Sequence, residues 1–145
     1  MTKEELSQLA YLCMEVEQDK LRLRELEEAA TGTTLQVTGM PRQSGAGDRV
    51  GKYAAQIADL KAVLEAKLER CWQELVRLNR FIAGVADSEM RQILTLRYIG
   101  RKSWQQIAEA LDVDGDGSTE RKKHDRFLRQ QREQAARGEA RRRGK

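Results

Sequence analysis

Proline is almost absent from this chain of 145 residues: Pro41 is its sole example, so helices can run uninterrupted on either side of it. Aromatic residues are equally sparse, at 5% against 34% charged residues, and the mean hydropathy is -0.73. Such a composition does not furnish one large globular core and suits long amphipathic helices with a small compact module. No run of about 18 apolar residues occurs, so no membrane span is expected. His124 is the single histidine, which excludes a His-based metal cluster or a Ser-His-Asp constellation within one chain. There is no GxxxxGK[ST] phosphate loop, and Asp/Glu pairs fall on solvated helix faces, so neither an enzyme nor a cofactor or metal is expected. Cys13 and Cys71 stand at apolar positions of predicted helices, with no CxxC motif and no signal peptide before them. They read as reduced core thiols of a cytoplasmic protein; a disulfide between the helices is the alternative, and does not suit that compartment.

What the chain does have is apolar periodicity. Over 2–30, Leu6, Leu9, Leu12, Cys13, Val16, Leu23 and Leu26 recur at three- and four-residue intervals, predicting a helix interrupted at Asp19 and Lys20. Glu25, Glu27 and Glu28 make its end acidic, against the helix dipole. Residues 31–51, rich in Gly, Thr and Ser, read as a flexible connection. Over 52–85, Ile57, Leu60, Leu64, Leu68, Cys71, Leu75, Leu78, Ile82 and Val85 advance by about 3.5 residues per step, the spacing of a left-handed coiled-coil seam. A seam requires a partner; the first helix, antiparallel, is one candidate and a second chain the other. An intrachain hairpin occupying 1–86 is expected, its uncovered apolar surface pairing with another subunit as a homodimer.

Gly84, Asp87 and Ser88 mark a boundary into a second module, 87–132. Met90, Ile93, Leu94 and Tyr98 follow an Asp87 or Ser88 N-cap, and Gly100 ends that helix. Ser103 with Gln106 is a capping-box spacing, opening a short helix whose apolar face is Trp104, Ile107, Ala108 and Leu111. Asp112-x-Asp114-x-Asp116-Gly117 reproduces the start of a calcium loop, but the twelfth position, which needs a bidentate Glu, is Lys123. The stretch therefore reads as a hydrophilic turn whose Asp residues cap helices. Ser118 or Thr119 then opens a third helix with only Phe127 and Leu128 strongly apolar. Residues 133–145 read as frayed helix passing into a disordered basic tail.

Charge is divided unevenly along the chain. From Ser118 onward eleven Lys and Arg face four Asp and Glu, a net +7, whereas the preceding residues sum to -3. Positive charge gathered at one end is the footprint of a phosphate-backbone partner. Two short packed helices followed by a basic third are the parts of a helix-turn-helix reader. The candidate DNA-binding residues are Arg101, Lys102, Thr119, Arg121, Lys122, Lys123, His124, Arg126 and Arg129. The basic residues of the third helix cannot all face one groove, because successive residues turn by about 100°.

The run ILTLRYIGRKSWQQIAEALDV resembles region 4 of sigma-70-type factors, on Leu96, Arg97, Tyr98, the Gly100 turn, Ser103, Trp104, Ile107 and Ala108. With its long helical first half, the whole chain is similar to small sigma-region-4-like proteins of Gram-positive phages and prophages, grouped with late transcription regulators of the RinA and ArpU type. The resemblance covers about 40 of the 145 residues. Relatives place Val or Ile where this chain has Lys122-Lys123, and have a shorter turn than VDGDGS. The resemblance implies an all-α fold, a long helical (coiled-coil) hairpin followed by a three-helix sigma-region-4-like helix-turn-helix. It also implies a sequence-specific transcription regulator that binds double-stranded DNA and is accessory to host RNA polymerase. A terminase small-subunit-like DNA-packaging protein and a coiled-coil protein-interaction adaptor are the alternatives.

Overall fold

The computed structural model describes residues 1–34 and 46–143. Among them the structure is entirely helical: α1 Lys3–Thr34, α2 Ala46–Ala83, α3 Ser88–Leu94 continued by a π-helical turn Thr95–Ile99, α4 Trp104–Ala110 and α5 Ser118–Arg143. None of these helices is long and apolar enough to cross a membrane.

The helices outrun their expected ends in three places. The connection expected over 31–51 contributes its first residues to α1 and its last to α2, and only 35–45 lie outside the described residues. Threonine is a poor helix former, but the Thr31 hydroxyl donates back to the carbonyls of Glu27 (3.0 Å) and Glu28 (2.9 Å) and so stays within the last turns. At the other end, the tail expected to be disordered is helical through Arg143, with every residue from Arg132 to Arg143 exposed. Ala135, Ala136, Arg137 and Ala140 are good helix formers, enough to propagate a helix already nucleated against the core.

Contacts divide the chain into two units. Unit 1 comprises Met1–Tyr11 with Gln73–Lys145; unit 2 is Leu12–Trp72. The first eleven residues thus belong with the C-terminal helices. In unit 2, α1 and α2 are joined by ion pairs: Lys67 with Asp19 (2.7 Å) and Glu15 (3.3 Å), and Lys61 with Glu27 (3.2 Å). Rising numbers on α1 meet falling numbers on α2, so the two segments are antiparallel there. Because α1 runs on to Thr34, Glu27 lies about two turns before its end, clear of the dipole penalty expected for an acidic last turn, and it finds Lys61 opposite. Leu12 and Val16 are buried, while Ile57, Leu60, Leu64 and Cys71 are half-buried. Leu68 is the seam residue left exposed: it follows Leu64 by four, so a 3.6-residue helix turns it about 40° to the edge of the stripe.

Unit 1 holds most of the buried apolar side chains. Leu6 and Leu9 of α1, Leu78 and Ile82 of α2, and Val85 join Met90, Ile93, Leu94, Tyr98, Ile107, Ala108 and Leu128. Arg91 fixes the entry to α3, donating from Nη1 to the carbonyls of Val85 (2.6 Å) and Ala86 (2.9 Å). The Asp87 side chain caps α3 by accepting from the Glu89 amide (2.9 Å).

Candidate functional site

The candidate residues are held by α4, α5 and the turns before them. The expected capping box is present: Ser103 Oγ accepts from the Gln106 amide (3.2 Å) and Gln106 Oε1 from the Ser103 amide (2.9 Å). Before it, Gly100 does not end an α-helix abruptly; the last turn widens, with the Gly100 amide bonded to the Thr95 carbonyl (2.9 Å). Arg101 then takes a φ of 53°, and Arg97 Nη1 donates to the Lys102 carbonyl (2.7 Å) while its guanidinium lies 4.9 Å from the Trp104 ring centre. Between α4 and α5, Asp112 has a φ of 56° and Gly117 one of 80°. Asp116 Oδ1 accepts from the Ser118 amide (3.0 Å), which satisfies an orphan donor at the start of α5 and holds the Asp116 carboxyl below the usual carboxylate range. The acidic turn thus works in part as a helix cap, and no group of three potential ligands that could hold a metal is found among the described residues.

Burial sorts α5 into two faces. Glu120, His124 and Leu128 are buried, with Phe127 and Gln131 half-buried beside them. Opposite them, Thr119, Lys122, Arg126 and Arg129 are exposed at three- and four-residue spacing, which places them on one stripe of the helix. These are the candidates that the fold brings together.

The other candidates are distributed differently. His124 was expected to contact phosphate or bases; it is instead fully buried, because its position falls on the face that packs inward. Its Nε2 is 2.7 Å from the Tyr98 hydroxyl and its Nδ1 is 3.0 Å from Asp125 Oδ1, with the Trp104 ring edge-on at 5.2 Å. A carboxylate only accepts, so Nδ1 carries the proton and Nε2 accepts from Tyr98. Burial pushes the tyrosine up to about 12, which keeps it a donor, and burial pushes the histidine down from its ordinary 6.5. Lys123 was expected at the DNA; its ammonium lies 2.6 Å from Glu89 of α3, and that bond holds it above its ordinary value. Arg121 is exposed and loosely paired with Asp125 at 4.0 Å. Lys102 is half-buried, and Arg101 lines a groove with Ser7, Ala10, Tyr11, Arg97 and Tyr98.

Three features carried no readable sequence signal. Glu89 lies 34 positions from Lys123, beyond any helical period. Glu120 is 1% exposed with no hydrogen-bond partner at Oε1 among the described residues; the N-terminal dipole of α5 and nearby Lys123 offset its charge. The Tyr98–His124 bond joins helices that sequence spacing treats as separate.

The histidine gives a pH prediction. Folding lowers its proton affinity, so the stability it confers is complete above the unfolded value and is lost as pH falls through the window below about 6.5. Protonation would put a donor at Nε2 against the Tyr98 hydroxyl, with Lys3 and Arg97 opposing the new charge and Asp125 favouring it. Glu4 and Glu5 lie below their ordinary 4.5, so their contribution is lost only at still lower pH. Melting temperature is expected to hold between pH 7 and 8 and to fall between pH 6.5 and 5, less steeply in His124→Gln. Equal slopes in the two proteins would remove His124 from the account.

Compared with known proteins, the chain matches no family model, no curated protein and no solved structure.

Proposed function

We propose that this chain is a non-enzymatic, sequence-specific regulator that binds double-stranded DNA through a sigma-region-4-like helix-turn-helix. In that reading α3 with its π turn is the supporting helix, α4 the positioning helix and α5 the recognition helix. The observation that carries it is the exposed stripe Thr119, Lys122, Arg126 and Arg129 on the side of α5 opposite buried Glu120, His124 and Leu128. A helix anchored on one face and cationic on the other can enter a groove without unpacking. Residues near its N-terminus, Thr119 and Lys122, are suited to base edges, and Arg126 and Arg129 to phosphate. The exposed arginines at 132, 137, 141, 142 and 143 extend the cationic helix and add sequence-independent affinity.

Contact with RNA polymerase and self-association belong to the same proposal, as does the expected hairpin of α1 and α2. Exposed Met14, Leu21, Val63, Leu68 and Trp72 in unit 2, with Trp72 62% exposed, support a protein-contact surface there. Sedimentation separates a dimer from the higher ring expected of a terminase small-subunit-like protein.

Binding to phage-genome fragments at two salt concentrations tests the reading, with Lys122, Arg126 and Arg129 replaced together by Ala. Selected fragments are expected to bind tightly. The triple variant is expected to lose them and to lower the slope of log affinity against log salt by roughly 2–3. Weak, equal binding of all fragments by both proteins would leave only electrostatic adhesion and favour the adaptor.

A further inference from the structure

Cys13 on α1 and Cys71 on α2 are the only cysteines in the chain, and both lie in unit 2. Each is half-buried and neither is in a disulfide. The antiparallel register set by the ion pairs of unit 2 stands Cys13 opposite Cys71, and the neighbouring Cys13 thiol is among the causes that push the Cys71 thiol up. The ion pairs from Lys67 to Glu15 and Asp19 tie the same two helix segments together just beyond. With no third thiol in the chain, only one intrachain link is possible.

We propose that Cys13 and Cys71 form a peroxide-oxidisable pair that closes a reversible disulfide between α1 and α2. The oxidant is a peroxide. A thiolate sulfur attacks one peroxide oxygen, the O–O bond breaks, and a sulfenic acid forms while the departing oxygen leaves as water after protonation. The second thiol sulfur then attacks the sulfenic sulfur; the S–S bond forms, the S–O bond breaks, and a second water leaves with the thiol proton. The two sulfurs together lose two electrons, which the peroxide gains. A thiol reductant returns the pair to its starting state.

Reactivity follows from the surroundings. Burial, the adjacent Cys13 thiol and the charge of Glu15 push the Cys71 thiol up, so the attacking thiolate is scarce at neutral pH. Oxidation is therefore slow at pH 7 and accelerates as pH rises. The position of the second cysteine opposite the first on the facing helix favours ring closure over further oxygenation.

The test treats the full chain with hydrogen peroxide and reads intact mass, free thiols and digested peptides. Expected are a mass loss of two hydrogens, simultaneous loss of both thiols, and one linked peptide pair containing Cys13 and Cys71, all reversed by dithiothreitol. The linked chain is expected to melt on the order of 5–10 °C higher, since the bridge closes a long loop. Masses gaining oxygen atoms without a link, or links between chains, overturn the proposal. In Cys13→Ser, whose helix content is checked by circular dichroism, Cys71 is expected to become reactive to dimedone with no intrachain link. Absence of dimedone labelling in that variant, or a wild-type rate indifferent to pH, overturns the thiolate route.

Discussion

Leu6→Ala is expected to destabilise the C-terminal helices, although Leu6 stands more than eighty positions before them. Leu6 is fully buried in unit 1, the unit that contains α3, α4 and α5. Truncating a fully buried leucine removes its transfer free energy and leaves a cavity, together about 2.7–5 kcal/mol. Spread over a chain of this size, that lowers the melting temperature by roughly 10 °C. Leu21→Ala is the control: the same chemistry at a position 53% exposed in unit 2, with an expected change within about 0.5 kcal/mol. The stronger form of the prediction concerns a fragment. A chain of residues 87–145 lacks Leu6, Leu9, Leu78, Ile82 and Val85, all buried in unit 1, and is expected not to fold cooperatively. Guanidinium unfolding followed by circular dichroism checks it. A fragment with a sharp transition and native helix content would show that the module stands alone.

The grouping of Leu6 with the C-terminal helices separates what the sequence carried from what it did not. Periodicity located α1 to α4 and a cap signal located α5, because apolar spacing and capping both depend only on local sequence. The Ser103–Gln106 box and the Asp cap at α3 were readable for the same reason: their partners lie two or three residues away. Which stripe packs on which is a long-range matter. Leu6 and Leu9 read as part of the same stripe as Leu12 and Val16, and nothing local tells a residue that its helix serves one unit up to Tyr11 and another from Leu12 onward. Among the candidate DNA contacts, residue type was a poor guide beside helix phase. Lys122 and Lys123 are adjacent and identical, yet one is exposed and the other bonded to Glu89, because 100° of rotation separates them. His124 was ranked by its basic neighbours, when the phase set by Phe127 and Leu128 already pointed it inward.

Gly117→Ala is expected to force open the turn between α4 and α5. Gly117 has a φ of 80°, in the left-handed region where a Cβ costs about 1–2 kcal/mol. Space is the greater obstacle: an added Cβ would lie 2.1 Å from the Trp104 carbonyl oxygen and 2.3 Å from its carbonyl carbon. Those are backbone atoms of α4's first residue, held by the capping box, and they cannot swing aside as a side chain can. The turn must instead open, which moves the N-terminus of α5 away from α4 and disturbs the packing of His124 against Trp104. A loss of about 3 kcal/mol or more is expected, with a weakened near-ultraviolet dichroism signal from Trp104. Gly115→Ala separates strain from collision. That glycine has a φ of 138° with nothing within 4 Å of an added Cβ, so it bears the conformational cost alone and should lose appreciably less. If the two variants melt together, the close approach of Gly117 to Trp104 is not what sets the spacing of α4 and α5. DNA binding gives a second readout: because Thr119 and Lys122 follow the turn directly, Gly117→Ala should lose selected fragments even where α5 remains helical, whereas Gly115→Ala should retain them.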